Sequence, residues 1–260
     1  MLAPRVDNRP YFLPLLLGTV VLAWVVLFAW GQSPYSEYLS HEELGQANLG
    51  LTARGLLVAV AFVSGWTLIT FAMMLPTSLP LINMFARMVG QRRNSRRLVA
   101  LLVLGYLGAW ALFGLAAHTG DRFIHAAVDR SQWLDDRSWL IAAVTFLVAG
   151  VYQFTPLKYH CLDKCRSPFS FINSHWSGAS ERREAFLLGV NHGVFCVGCC
   201  WSIMLLMFAF GVGNLGWMLL LGGVMAVEKN ASWGRSLSAP LGMGLLAIGL
   251  LMVAWNAGLA

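Results

Sequence analysis

The sequence predicts an all-α protein, a polytopic bundle of about seven transmembrane helices forming one integral membrane domain over residues 1–260. Three observations carry this expectation. Hydrophobic residues make up 58% of the chain and charged residues 12%, about half the charge of a soluble domain. Mean hydropathy is +0.64. The apolar residues fall in runs, each matched to a hydrocarbon layer that takes ~20 residues to cross. Alternating segments of the outer-membrane barrel kind are absent.

The runs lie near 11–31, 56–76, 98–119, 138–156, 185–210, 212–229 and 239–257. The first is too long for a signal-peptide core, and its exit, "WGQSPYSEYLSHEEL", lacks a small-residue cleavage site, so it reads as a retained helix. The second ends in "FAMMLPTSLPLINMF", where Pro76 and Pro80 break the helix just after Met73 and Met74. A helix broken at membrane depth frees backbone carbonyls, which only protein or a cavity can receive.

The third run is followed by "HTGDRFIHAAVDRSQWLDDR", spaced for a short amphipathic helix on the outer interface. His118, His125, Asp121 and Asp129 there read as solvated residues rather than as a metal site. The fourth run leads into "YHCLDKCRSP", bracketed by Pro156 and Pro168. Cys161 and Cys165 are four apart and share a face if that segment is helical. The fifth carries "NHGVFCVGCCW" and is parted from the sixth only by "GVGNLG". The sixth ends at Glu228, an ionisable group at a membrane edge and so a functional candidate. An interfacial anchor explains it equally well.

Basic residues orient the bundle. With the N-terminus in the cytoplasm and the C-terminus in the periplasm, fourteen of the 18 Lys and Arg residues fall on the cytoplasmic side, a strong positive-inside bias. The net charge of +6 is then anchoring charge. The "RMVGQRRNSRR" cluster reads as a loop against anionic headgroups, not as a nucleic-acid site. The expected location is a bacterial inner membrane.

The chemistry concentrates in the fifth run. At about 100° per residue, His192, Cys196, Cys199 and Cys200 share about 100° of helix arc. Gly189, Gly193 and Gly198 let neighbouring helices approach closely. Soft sulfur with imidazole suits Cu(I), and zinc less well. A buried thiolate needs a cation to neutralise it. Met73 and Met74 enter the same, cytoplasmic half of the bundle from the second run, and Cys161 and Cys165 lie just beyond it.

The segments "AMMLPTSLPL", "YQFTPLKYHCLDKCRSP" and "HGVFCVGCCWSIMLLMFAFGVGNLGWM", with "VEK" closing the sixth run, resemble a bacterial family of predicted metal-binding integral membrane proteins. It is formally a domain of unknown function, and some members are labelled copper chaperones. The resemblance covers residues about 70–250. It implies roles for Met73, Met74, Pro76, Pro80, Cys161, Cys165, His192, Cys196, Cys199, Cys200 and Glu228.

These readings predict a membrane protein that handles Cu(I) without covalent turnover and delivers it to, or stabilises, a membrane cuproenzyme or larger membrane complex. His192 and the three clustered cysteines would hold the ion. The chain has no P-loop and no ATPase domain, which excludes a self-powered pump. Two rivals come from other classes: a thiol-disulfide oxidoreductase using Cys196/Cys199 and Cys161/Cys165, and a structural accessory subunit whose cysteines only pack.

Overall fold

The computed structural model describes residues 9–31, 53–210 and 214–258, and every regular element among them is helical. The helices are α1 (Arg9–Gly31), α2 (Ala53–Met73), a 3-10 turn (Pro76–Ser78), α3 (Leu79–Met88), α4 (Ser95–Val128), α5 (Gln132–Asp135), α6 (Trp139–Tyr152), α7 (Pro156–Arg166), α8 (Pro168–His175), α9 (Glu181–Phe210), α10 (Leu215–Asn230) and α11 (Gly234–Asn256). The exit of the first run and residues 211–213 of the "GVGNLG" turn lie outside the described residues.

Among the described residues, three helices, α4, α9 and α11, are long and apolar enough to cross a membrane, and up to five candidate spans result if two bent pairs each count as one. α1 contributes a shorter apolar stretch, Gly18–Ala29. α10 has 16 residues, a rise of about 24 Å against a hydrocarbon layer of about 30 Å.

Both bends follow from proline. The α2–α3 pair turns by 47° across the 3-10 turn. Pro76 offers no N–H, and Leu75 N–H reaches back to the Thr70 carbonyl at 3.3 Å. The freed Met74 carbonyl accepts from the Thr77 hydroxyl at 2.7 Å and the Tyr106 hydroxyl at 3.2 Å. The α6–α7 pair turns by 66°. There Thr155 is extended, and its side chain caps α7 by accepting from the Lys158 N–H at 3.3 Å, with Pro156 in the first turn.

α9 is the central element. Of its apolar stretch 56% is buried, against 39% for α4 and 22% for α11. Its closest neighbour is α4, and α6, α7, α8 and α10 also pack on it. The α4–α9 approach is set by glycine: a Cβ on Gly189 would stand 1.9 Å from the Leu102 carbonyl oxygen, and one on Gly105 2.3 Å from that of Phe186. Trp66 of α2 fills the next layer and donates to the Trp110 carbonyl at 3.1 Å. Trp24 of α1 donates to the Ala72 carbonyl at 3.2 Å.

Two segments differ from expectation. The amphipathic interface helix is not a separate element: α4 runs on to Val128. An i,i+4 contact of Asp121 with His125 (3.6 Å) supports its last turns. His118 is buried in that helix with its ring stacked on Phe62 at 4.7 Å. The Cys161–Cys165 segment does not lie just beyond the half of the bundle that holds the other thiols. It is a helix folded back against α9.

Candidate metal centre

The site is built where α7, α9, α10 and the 3-10 turn meet. All five cysteines are free thiols, and the α7 pair meets the α9 group. Cys165 Sγ lies 3.9 Å from Cys199 Sγ, and Cys199 Sγ lies 3.3 Å from Cys200 Sγ. The Cys199 thiol donates to the Cys196 carbonyl at 3.2 Å. Cys161 packs over Gly198, where a Cβ would come within 2.6 Å of its sulfur. Glycine at 198 is therefore what admits α7 to this face of α9. Cys165 is half-buried, whereas Cys196, Cys199 and Cys200 are fully enclosed. The sulfurs thus form a row from the edge of the bundle into its core.

Cys196 occupies a polar corner at the other end. The Lys229 ammonium donates to its sulfur at 2.8 Å and to the Thr77 hydroxyl at 3.3 Å. The Tyr106 hydroxyl stands 3.0 Å from the same sulfur. His192 lies between Tyr106 and Phe171, with ring centroids at 5.6 and 5.5 Å. Its Nε2 is 3.1 Å from the Ser78 hydroxyl, and its Nδ1 is buried with no hydrogen-bond partner. An unpaired nitrogen of this kind is costly and is free to act as a donor to a ligand.

The remaining expected residues divide. Met73 is buried and packs beside Gly222 of α10. Met74 is fully buried, and its carbonyl joins the network through Tyr106. Pro76 and Pro80 shape the 3-10 turn and the start of α3, which bring Thr77 and Ser78 to Lys229 and His192. Glu228 is not an interfacial anchor. It is 1% exposed and paired with Lys158, itself 0% exposed, with both carboxylate oxygens 2.9 Å from Nζ. Ser238 donates to Glu228 at 2.7 Å, and Lys158 also donates to Gln153.

Sequence reasoning missed Lys229, Lys158, Tyr106 and Ser78. Only Lys229 left a trace, as a charge adjoining Glu228 at the end of an apolar run. Among the described residues, no group of three or more His, Cys, Asp or Glu side chains is arranged as a finished metal cage. Two close sulfur contacts share Cys199 instead, one with Cys165 and one with Cys200. The spacing of Cys165 and Cys199 is near the roughly 3.8 Å that separates two thiolates on one tetrahedral ion with 2.3 Å bonds. The donor set is soft and suits Cu(I).

The fold and the site define a helical protein with several helices long and apolar enough to cross a membrane and with buried thiols at its centre. It belongs to the PpoB2 copper chaperone family, whose profile matches residues 63–252. The membership supports a copper-handling role. No curated protein and no solved structure matches the chain.

Proposed function

We propose that this protein takes up Cu(I) as cargo at Cys165 and passes it along Cys199 and Cys200 toward Cys196 and His192, for delivery to a membrane cuproenzyme or to a larger membrane complex. One observation carries the reading: the thiols of Cys165, Cys199 and Cys200 are contiguous in space and run from a half-buried sulfur to fully enclosed ones, with Cys196 next to them through its carbonyl. A soft ion moves along such a row by exchanging one sulfur for the next, and each thiol that binds it gives up its proton. Cys161 beside Gly198 adds a fifth sulfur at the entry.

In this reading the chain spans a bacterial inner membrane seven times, with its N-terminus in the cytoplasm and its C-terminus in the periplasm. The positive-inside bias of its basic residues supports that orientation. The thiol row then opens toward the cytoplasmic half, where the reducing environment keeps thiols available.

The test is metal analysis of protein purified in detergent under anaerobic conditions after Cu(I) loading. The wild type should hold copper stoichiometrically. Cys199→Ser, which breaks the row at its centre, should lower retention at least tenfold while leaving the thermal midpoint close to wild type. A wild type that holds no copper would sink the reading, and so would undiminished retention in Cys199→Ser.

A further inference from the structure

α7 is joined to α6 through residues 153–155 and turns away from it by 66°. Thr155 is extended there, and no regular helical hydrogen-bond ladder continues across the break. A helix at such a joint pivots unless other contacts fix it. Besides its packing on α9 and the pairing of Asp163 with Arg235 of α11 at 3.1 Å, two contacts near its ends hold it, and both lead to one residue. At the first turn, Lys158 grips the Glu228 carboxylate with both oxygens at 2.9 Å. At the last turn, the Arg166 guanidinium donates to the Glu228 carbonyl and, at 3.0 Å, to the Ser232 carbonyl. The neighbour of Glu228 reaches a different helix: Lys229 donates to Cys196 of α9 at 2.8 Å.

An enclosed ion pair is a poor choice for simple adhesion, since apolar side chains of the same volume hold helices together as well or better. A pair that meets two oxygens at once instead fixes a relative position. The Glu228 carboxylate is occupied by Lys158 and Ser238, so it is not directed at the thiols.

We propose that Glu228 and Lys229 act as a two-sided clamp that registers the two thiol-bearing helices, Glu228 on α7 through Lys158 and Arg166, Lys229 on α9 through Cys196. They are positioning residues: the clamp keeps Cys165 within 3.9 Å of Cys199, the gap any transferred ion must cross. The purpose assigned to the clamp rests on the copper reading, whereas the geometry it imposes does not.

The test reads that geometry without metal. Full-length protein is treated with dibromobimane, a short bifunctional thiol reagent, and the linked peptides are mapped by mass spectrometry. The wild type should give an α7–α9 link between Cys165 and Cys199. The double variant Lys158→Met/Glu228→Leu removes both charges of the pair, so it adds no uncompensated buried charge and should fold, yet its α7–α9 link should fall at least fivefold. Lys229→Met should lower the same link severalfold. An undiminished link in the double variant would reduce the ion pair to packing and overturn the proposal. Should the double variant fail to fold, Arg166→Ala, at a half-buried position, should still cut the link severalfold, and an unchanged link there would overturn the proposal equally. A wild type that gives the link but retains no copper would refute the copper reading and leave the clamp standing.

Discussion

His192 shows how one side chain can be tested for two roles at once. Its ring is packed between two aromatic rings, one nitrogen faces Ser78 and the other has no partner. His192→Phe keeps the ring packing and removes both nitrogens, the unpaired one, whose burial costs about 1–3 kcal/mol, and the one on Ser78, whose hydrogen bond contributes about 0.5–1.5 kcal/mol. The thermal midpoint should stay level or rise, while copper retention should fall at least fivefold. A drop in midpoint with copper unchanged would make the imidazole a packing group. The cysteines and His192 were legible in the sequence because helix geometry alone puts them on one arc. Lys229 and Lys158 were not. A lysine near the end of an apolar run reads as an interfacial anchor, and only tertiary contacts across 33 and 70 residues turn these two into buried partners.

Among the elements, the α4–α9 contact depends most on a single atom's absence. At Gly189 an added Cβ meets backbone, which cannot move aside as a side chain can. Gly189→Ala should cost about 1–3 kcal/mol by overpacking, read as a lowered thermal midpoint in detergent. Gly108→Ala, on the same α4 but with nothing within 4 Å of the new Cβ, should be neutral or stabilising by about 0.5–1 kcal/mol. Equal losses at both positions would show that helix approach is not the cause. The close approach itself was legible from the small residues of the fifth run, as was the break at Pro76. The fold-back of α7 was not: proline brackets marked its ends, but its direction depends on Cys161 meeting Gly198, a match between segments that no local spacing encodes.

For the molecule as a whole, the arrangement of spans decides which compartment the thiol row faces. Reporter fusions should place residue 260 in the periplasm and the 87–97 loop in the cytoplasm. The opposite pattern would put Cys161 and Cys165 toward an oxidising space and favour disulfide chemistry over copper uptake. The helical class and its membrane-type character were plain from composition and run length. The count of seven rested on treating every apolar run as a full crossing. α10 is the short member of that set, 16 residues ending at Asn230, where the Glu228–Lys229 pair turns inward to Lys158 and Cys196 instead of outward to water.

The pairing of Lys158 with Glu228 also bears on how the chain is made. The two residues are separated by 70 positions, which a ribosome covers in about 4–14 s at about 5–20 residues per second. For that interval the nascent chain carries an ammonium with no carboxylate to meet it, beside helices already entering the bilayer. A chain ended at Gly223 prolongs the state indefinitely. In pulse–chase labelling it should be cleared by membrane proteases several times faster than the complete protein. Adding Lys158→Met to the shortened chain should recover much of its lifetime, and no recovery would show that the unpaired ammonium is not what quality control detects.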